Sequence, residues 1–95
     1  MRHRHRYIAF ELLGNADKQD VYKTAAFLCN TLGLDRTEIK IIMDGTNPGK
    51  GLFRCIHSRA DGIKTTMSQD DMPLRVLGVS GTIRAARRNF FTDKT

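Results

Sequence analysis

The stretch Arg6-Tyr7-Ile8-Ala9-Phe10-Glu11-Leu12-Leu13 sets Ile8, Phe10 and Leu12 on one side of an extended chain and Tyr7, Ala9 and Glu11 on the other. That period of two is the mark of a β-strand. Gly14 and Asn15 break the pattern, and Asp17 is placed to cap a helix. Val21, Ala25, Leu28 and Leu32 then recur at helical spacing before Gly33 supplies a stop. A strand that runs straight into an amphipathic helix opens a mixed fold of helices and sheet.

Downstream, Glu38 to Met43 is rich in isoleucine, and Gly51 to His57 alternates Leu52 and Ile56 against Phe53 and Cys55. Turn formers fill Asp44 to Lys50 between them, so the pair reads as a hairpin. Ser58 to Gln69, with Ile63 and Met67 four apart, predicts a short helix of weak intrinsic propensity that packing must hold. Pro73 ends it, Leu74 to Val79 reads as a fourth strand, and Ile83 to Phe91 as a last helix whose apolar face is Ile83, Ala86 and Phe90. The order β-α-β-β-α-β points to an α+β, ferredoxin-like sandwich, with an antiparallel four-stranded sheet, helices on one sheet face and a further C-terminal helix. With strand order 4-1-3-2, the start of strand one lies at the same sheet edge as the ends of strands three and four. The Met1 to Arg6 arm, Arg59 and the Ser80-Gly81-Thr82 junction would then gather there.

Ninety-five residues suit one domain, taken here as 1–95 with a basic arm over 1–6 and a fraying polar tail over 92–95. A chain 40% hydrophobic and 27% charged can bury a core, which excludes a disordered class. No apolar run approaches the roughly 18 residues of a membrane span. Cys29 and Cys55 fall on apolar stripes without metal or redox spacing and read as buried free thiols. A soluble, unprocessed, cytoplasmic protein is expected. Arg2, Arg4 and Arg6, with Arg84, Arg87 and Arg88, account for the whole formal excess of +6; the remaining ten basic and ten acidic residues cancel. Concentrated arginine favours a polyanion, because guanidinium groups fork onto phosphate and release counterions from nucleic acid. A solvated basic surface is the bland alternative.

Ser80, Gly81 and Thr82, at a strand-to-helix junction, offer unpaired N–H groups, hydroxyls and close backbone approach to a phosphate. Arg84, Arg87 and Arg88 at i, i+3 and i+4 share one helix face; an ordinary capped helix with a wet arginine face explains the same spacing. The arm could follow a phosphate backbone with Tyr7 stacked on a base or sugar, or be an ordinary loose terminus. His3 and His5 lack the carboxylate or cysteine companions of a metal site and read as further phosphate contacts. Gly45 to Gly51 lacks the spacer and hydroxyl of a P-loop. Lys50-Gly51-Leu52-Phe53-Arg54-Cys55-Ile56-His57 begins like the central motif of an RNA recognition module, but Leu52 and Arg54 stand where stacking aromatics belong. No catalytic constellation or metal site is evident.

The opening Met1-Arg2-His3-Arg4-His5-Arg6-Tyr7-Ile8-Ala9-Phe10-Glu11 and the late Gly78-Val79-Ser80-Gly81-Thr82-Ile83-Arg84 together resemble ribonuclease P protein component 2, an archaeal and eukaryotic family. The likeness spans nearly the whole chain. It implies an RNA recognition-like α/β sandwich that pairs with ribonuclease P protein component 3 on the catalytic domain of the ribonuclease P RNA; a homodimer within the protein subcomplex stays open. On that likeness the chain would belong to an endoribonuclease, a hydrolase, without being catalytic itself. The RNA would remove the five-prime leader of precursor tRNA with magnesium, and the chain would bind no cofactor. Arg2, Arg4, Arg6 and the Ser80 to Arg88 junction would contact RNA, joined by Tyr7 and Arg59. The segment between strands three and four is short for the family, and little follows the last helix. Two other readings remain: a small RNA-binding protein of another ribonucleoprotein, and a ferredoxin-like regulatory module that takes a small anion at Ser80-Gly81-Thr82.

Overall fold

The computed structural model describes residues 4–45, 49–69 and 71–91. The first half of the basic arm, including Arg2, part of the hairpin turn and the expected fraying tail lie outside these residues. The chain begins with β1 (His5–Leu12) and α1 (Lys18–Leu32). The Asp17 side chain accepts from the N–H groups of Gln19 and Asp20, while the Asp20 carboxylate accepts from the Asp17 N–H at 2.9 Å. This reciprocal cap satisfies donors that the first turn leaves unpaired, worth about 0.5–2 kcal/mol. Gly33 ends α1 with φ +67°, in the left-handed region, and its N–H donates to the Cys29 carbonyl. After a 3-10 turn (Arg36–Glu38) come β2 (Lys40–Met43) and β3 (Lys50–Ile56). A second 3-10 turn (His57–Arg59) leads into α2 (Ala60–Met67), followed by β4 (Leu74–Ser80).

The sheet is fully antiparallel in the order β2-β3-β1-β4, so β1 lies between β3 and β4. This is the same 4-1-3-2 order, taken from the other edge. Alternation sorts the strands as expected: Ile8 and Phe10 of β1, with Phe53 and Cys55 of β3, face the helices and share a core with Val21, Leu28, Ile63 and Met67. The Phe10 and Phe53 rings pack 4.6 Å apart, an aromatic pair worth about 0.5–1.5 kcal/mol beyond its burial. Gly51 makes room for them, since a Cβ there would stand 2.7 Å from the Phe10 ring. The weak α2 is held as expected by burial of Ala60, Ile63, Thr66 and Met67.

The two sandwich helices α1 and α2 share one sheet face as expected, and the further helix takes the other: its Ala86, Phe90 and Phe91 pack on Tyr7, Ala9, Leu52, Ile42 and Leu77. Those strand residues make an apolar stripe that water would otherwise meet, and the last helix covers it. That helix is one α turn, α3 (Ile83–Ala86), continuing as a π turn (Arg87–Phe91). Wider winding brings residues five apart onto one side, so Phe91 joins Ala86 on the apolar side while Ile83, expected there, is 37% exposed. In β4 the register shifts at Ala9/Phe10, which pair with Gly78 and Val76, leaving Leu77 as an extra residue. The bulge lets Val76 and Val79, three apart, both meet the helix-side core.

Candidate nucleic-acid interface

The pairs His5↔Ile56 and Tyr7↔Ser80 put the start of β1 and the ends of β3 and β4 at one end of the sheet. The His57 N–H donates to the Arg4 carbonyl at 2.7 Å. The Arg6 guanidinium Nη1 donates to the His5 carbonyl at 3.0 Å and lies 3.8 Å from where a Cβ on Gly81 would stand. Described arm residues and the β4–α3 junction are therefore neighbours. Arg4 and Arg84 are exposed and Arg6 partly so. Arg59 belongs to the turn after β3 and pairs with Glu38, Nε to Oε1 3.6 Å.

The junction itself is less open than its sequence suggests. Ser80 is 9% exposed, and the Thr82 Oγ1 accepts from the Ala85 N–H at 3.1 Å, capping its own helix. Gly81 is exposed, and a Cβ there would meet nothing closer than the Arg6 guanidinium. A single α turn carries little macrodipole, so the arginine side chains dominate the local field.

The three arginines of the last helix have different surroundings. Arg84 lies in the first turn beside the junction. Arg87 reaches Asp44, whose side chain is 3% exposed, at 3.3 Å. Asp44 follows β2 at the other end of the sheet, where its N–H donates to the Lys50 carbonyl. Lys50 Nζ in turn donates to the Phe90 carbonyl at 3.4 Å. The helix thus starts at the arginine-bearing end and is clamped at the far one, and Arg87 is part of the clamp. Arg88 is exposed.

A second cationic group lies on the open sheet face, drawn from residues that the sequence does not place together. The pairings Lys40↔Arg54 and Tyr7↔Arg54 set Lys40, Arg54 and Tyr7 in one row across β2, β3 and β1. Arg54 Nη2 stands 3.3 Å from both ring nitrogens of His5. A nitrogen equidistant from the two could lie in the ring plane only by colliding with Cε1, so the guanidinium sits over the imidazole face. His5, Thr37, Glu38, Lys40, Arg54 and Ile56 line a cavity of about 340 Å³. The alternation that placed Leu52 and Ile56 opposite Phe53 and Cys55 also carries Arg54, so the signal was present. In the sequence Arg54 stands out only as a cation where a stacking aromatic belongs.

Cys29 and Cys55 are buried free thiols. Burial pushes the Cys55 thiol up to about 11, with nearby Arg6 opposing the rise. No helix among the described residues is long and apolar enough to cross a membrane.

No family model matches the chain. It is similar to ribonuclease P protein component 2 of Methanosarcina acetivorans, at 30% identity over 107 aligned positions covering all of this chain and 80% of that protein. The protein of the same name from Methanosarcina mazei is 29% identical, with 99% of this chain and 90% of that protein covered. That from Methanosarcina barkeri is 28% identical, with coverages of 98% and 76%. Alignments of 105 to 107 positions exceed the 95 residues here, so the relatives carry residues without a counterpart in this chain.

Proposed function

The chain belongs to the ribonuclease P protein component 2 family, and from that premise we propose that it binds the catalytic domain of the ribonuclease P RNA and supports removal of the five-prime leader from precursor tRNA. The observation that carries the reading is the meeting of Arg6 with Gly81 at the sheet end where Arg4 and Arg84 are also exposed. Folding brings cations from both termini of the described chain to one rim, and a rim of guanidinium groups suits a sugar-phosphate chain. Arg2, Tyr7, Arg59, Ser80, Gly81, Thr82 and Arg88 belong to the same proposed contact surface. Arg87 contributes by holding the last helix in place.

Cleavage is assigned to the RNA with its magnesium, and the chain to holding that RNA in shape. The carboxylates nearest these cations suit this division: Glu38 engages Arg59 and Asp44 engages Arg87, so the side chains left open there fit phosphate better than a divalent cation. Ribonuclease P protein component 3 is the proposed protein partner, and a homodimer within the subcomplex and cytoplasmic residence complete the proposal. Leader removal should be measured at low magnesium with the catalytic RNA and component 3, with and without this chain. A rise in cleavage on its addition is expected, and equal rates would refute the role.

A further inference from the structure

We infer that the cavity between His5, Lys40 and Arg54 is a nucleotide pocket that takes one nucleotide of an RNA strand, its phosphate held by Arg54 and Lys40 and its sugar or base against Ile56. The inference rests on the RNA-binding role proposed for the rim and adds a site on the open sheet face to it.

Three features carry it. Arg54 sits on β3, between β2 and β1, and its Nε is buried without a partner among the described residues. A buried donor left without an acceptor is costly and rare, which marks Arg54 as a guanidinium whose pairing is incomplete. Lys40 is its direct cross-strand neighbour, and like charges set opposite each other on a sheet oppose folding. An anion between them turns that repulsion into attraction. The one carboxylate in the lining does not supply that anion: Glu38 Oε2 accepts from the Asp35 N–H at 2.8 Å and Oε1 faces Arg59. The cavity's volume of about 340 Å³ lies at the small end of ligand pockets. The His5 ring lies against the Arg54 guanidinium, and Ile56 adds an apolar wall.

Position favours a strand over a free ion. His5 and Ile56 are cross-strand partners at the sheet end that carries Arg4 and Arg6, so a chain lying on the rim passes the pocket. The C-terminal helix covers the adjoining row Ile42, Leu52 and Ala9, which stops such a strand from continuing across the sheet.

The test compares binding of the cognate ribonuclease P RNA over a salt series for the wild type, Lys40→Gln, Arg54→Gln, both together, Arg54→Lys, and Lys64→Gln on exposed α2. The double variant should lose about tenfold in affinity and about one unit of salt slope, Arg54→Lys should recover part of the loss, and Lys64→Gln should match the wild type. In parallel, the Arg54 Nε–H resonance is followed during titration with single-stranded RNA of about eight nucleotides and with inorganic phosphate; the RNA should move it at far lower concentration. Should Arg54→Gln fail to fold by circular dichroism, Lys40→Gln at an exposed position carries the comparison. A double variant that binds like the wild type overturns the pocket and leaves the rim standing. Saturation by phosphate where RNA has no effect overturns it in favour of a small-anion site. A wild type that binds no RNA removes the reading beneath it as well.

Discussion

Alanine at Gly78 should destabilise this protein, although at an ordinary strand position the same change would help. A Cβ on Gly78 would stand 2.3 Å from Cζ and 2.4 Å from Cε1 of Phe90, more than about 1 Å inside normal carbon contact. Either the Phe90 ring swings off the sheet or the C-terminal helix lifts, and both movements give up packing against Leu77 and the buried Ala86 and Phe91. Overpacking of this kind costs about 1–3 kcal/mol. The backbone adds no penalty, because Gly78 is not among the glycines with positive φ. Removing glycine's freedom in the unfolded chain would by itself stabilise by about 0.4–1 kcal/mol. The sign is therefore set by Phe90. Urea unfolding of the wild type, Gly78→Ala, Phe90→Ala and the double variant should show Gly78→Ala costing stability in the first background and neutral or stabilising in the second. The coupling should be about 1–3 kcal/mol. Equal effects in both backgrounds would refute the seating of Phe90 on Gly78.

Replacing Arg4, Arg6 and Arg84 together with Gln should lower the salt slope of RNA binding by about two to three units if each neutralises a phosphate; an unchanged slope excludes the rim. Arg87→Gln should instead act on stability, lowering it by about 1–3 kcal/mol because buried Asp44 loses a charged partner, with little change in salt slope; denaturant titration and RNA binding separate the two. The Cys55 thiol, held up to about 11 in the fold against an ordinary 9.0, keeps its proton in the folded state where the unfolded chain has lost it. Its contribution is full below about pH 9 and declines toward pH 11, by roughly 2–3 kcal/mol. Cys55→Ala should flatten that decline, and an unchanged pH profile by urea unfolding would show that the thiol is not the cause.

What the sequence made legible was local. Asp17 and Gly33 mark α1 because cap chemistry acts over three or four residues, and alternation exposed both faces of β1. The placement of the last helix was hidden because the stripe it covers takes Ala9, Leu52, Ile42 and Leu77 from four different strands, and no single window contains the pattern. The Leu77 bulge and the π turn break the regular periods that such reading assumes. Arg87 and Asp44 are 43 positions apart, so an arginine counted toward a surface patch proved to have a partner only the fold could supply. The meeting of Arg4, Arg6 and the Ser80-Gly81-Thr82 junction at one sheet end follows from strand order, whereas the row Lys40, Arg54 and Tyr7 takes one residue from each of three strands and emerges only when they pair.

Only Gly81 and Thr82 separate β4 from the helix that lies over the second sheet face. So short a leash keeps the start of a lifted helix beside its seat, at an effective concentration far above any the free segment could reach in solution. Modest contacts then suffice to keep it closed, and the fraction closed is independent of dilution. A substitution that loosens it should give a rapid flicker of uncovering rather than a lasting open form, and its threat to the protein is the brief showing of a greasy strand surface to other molecules.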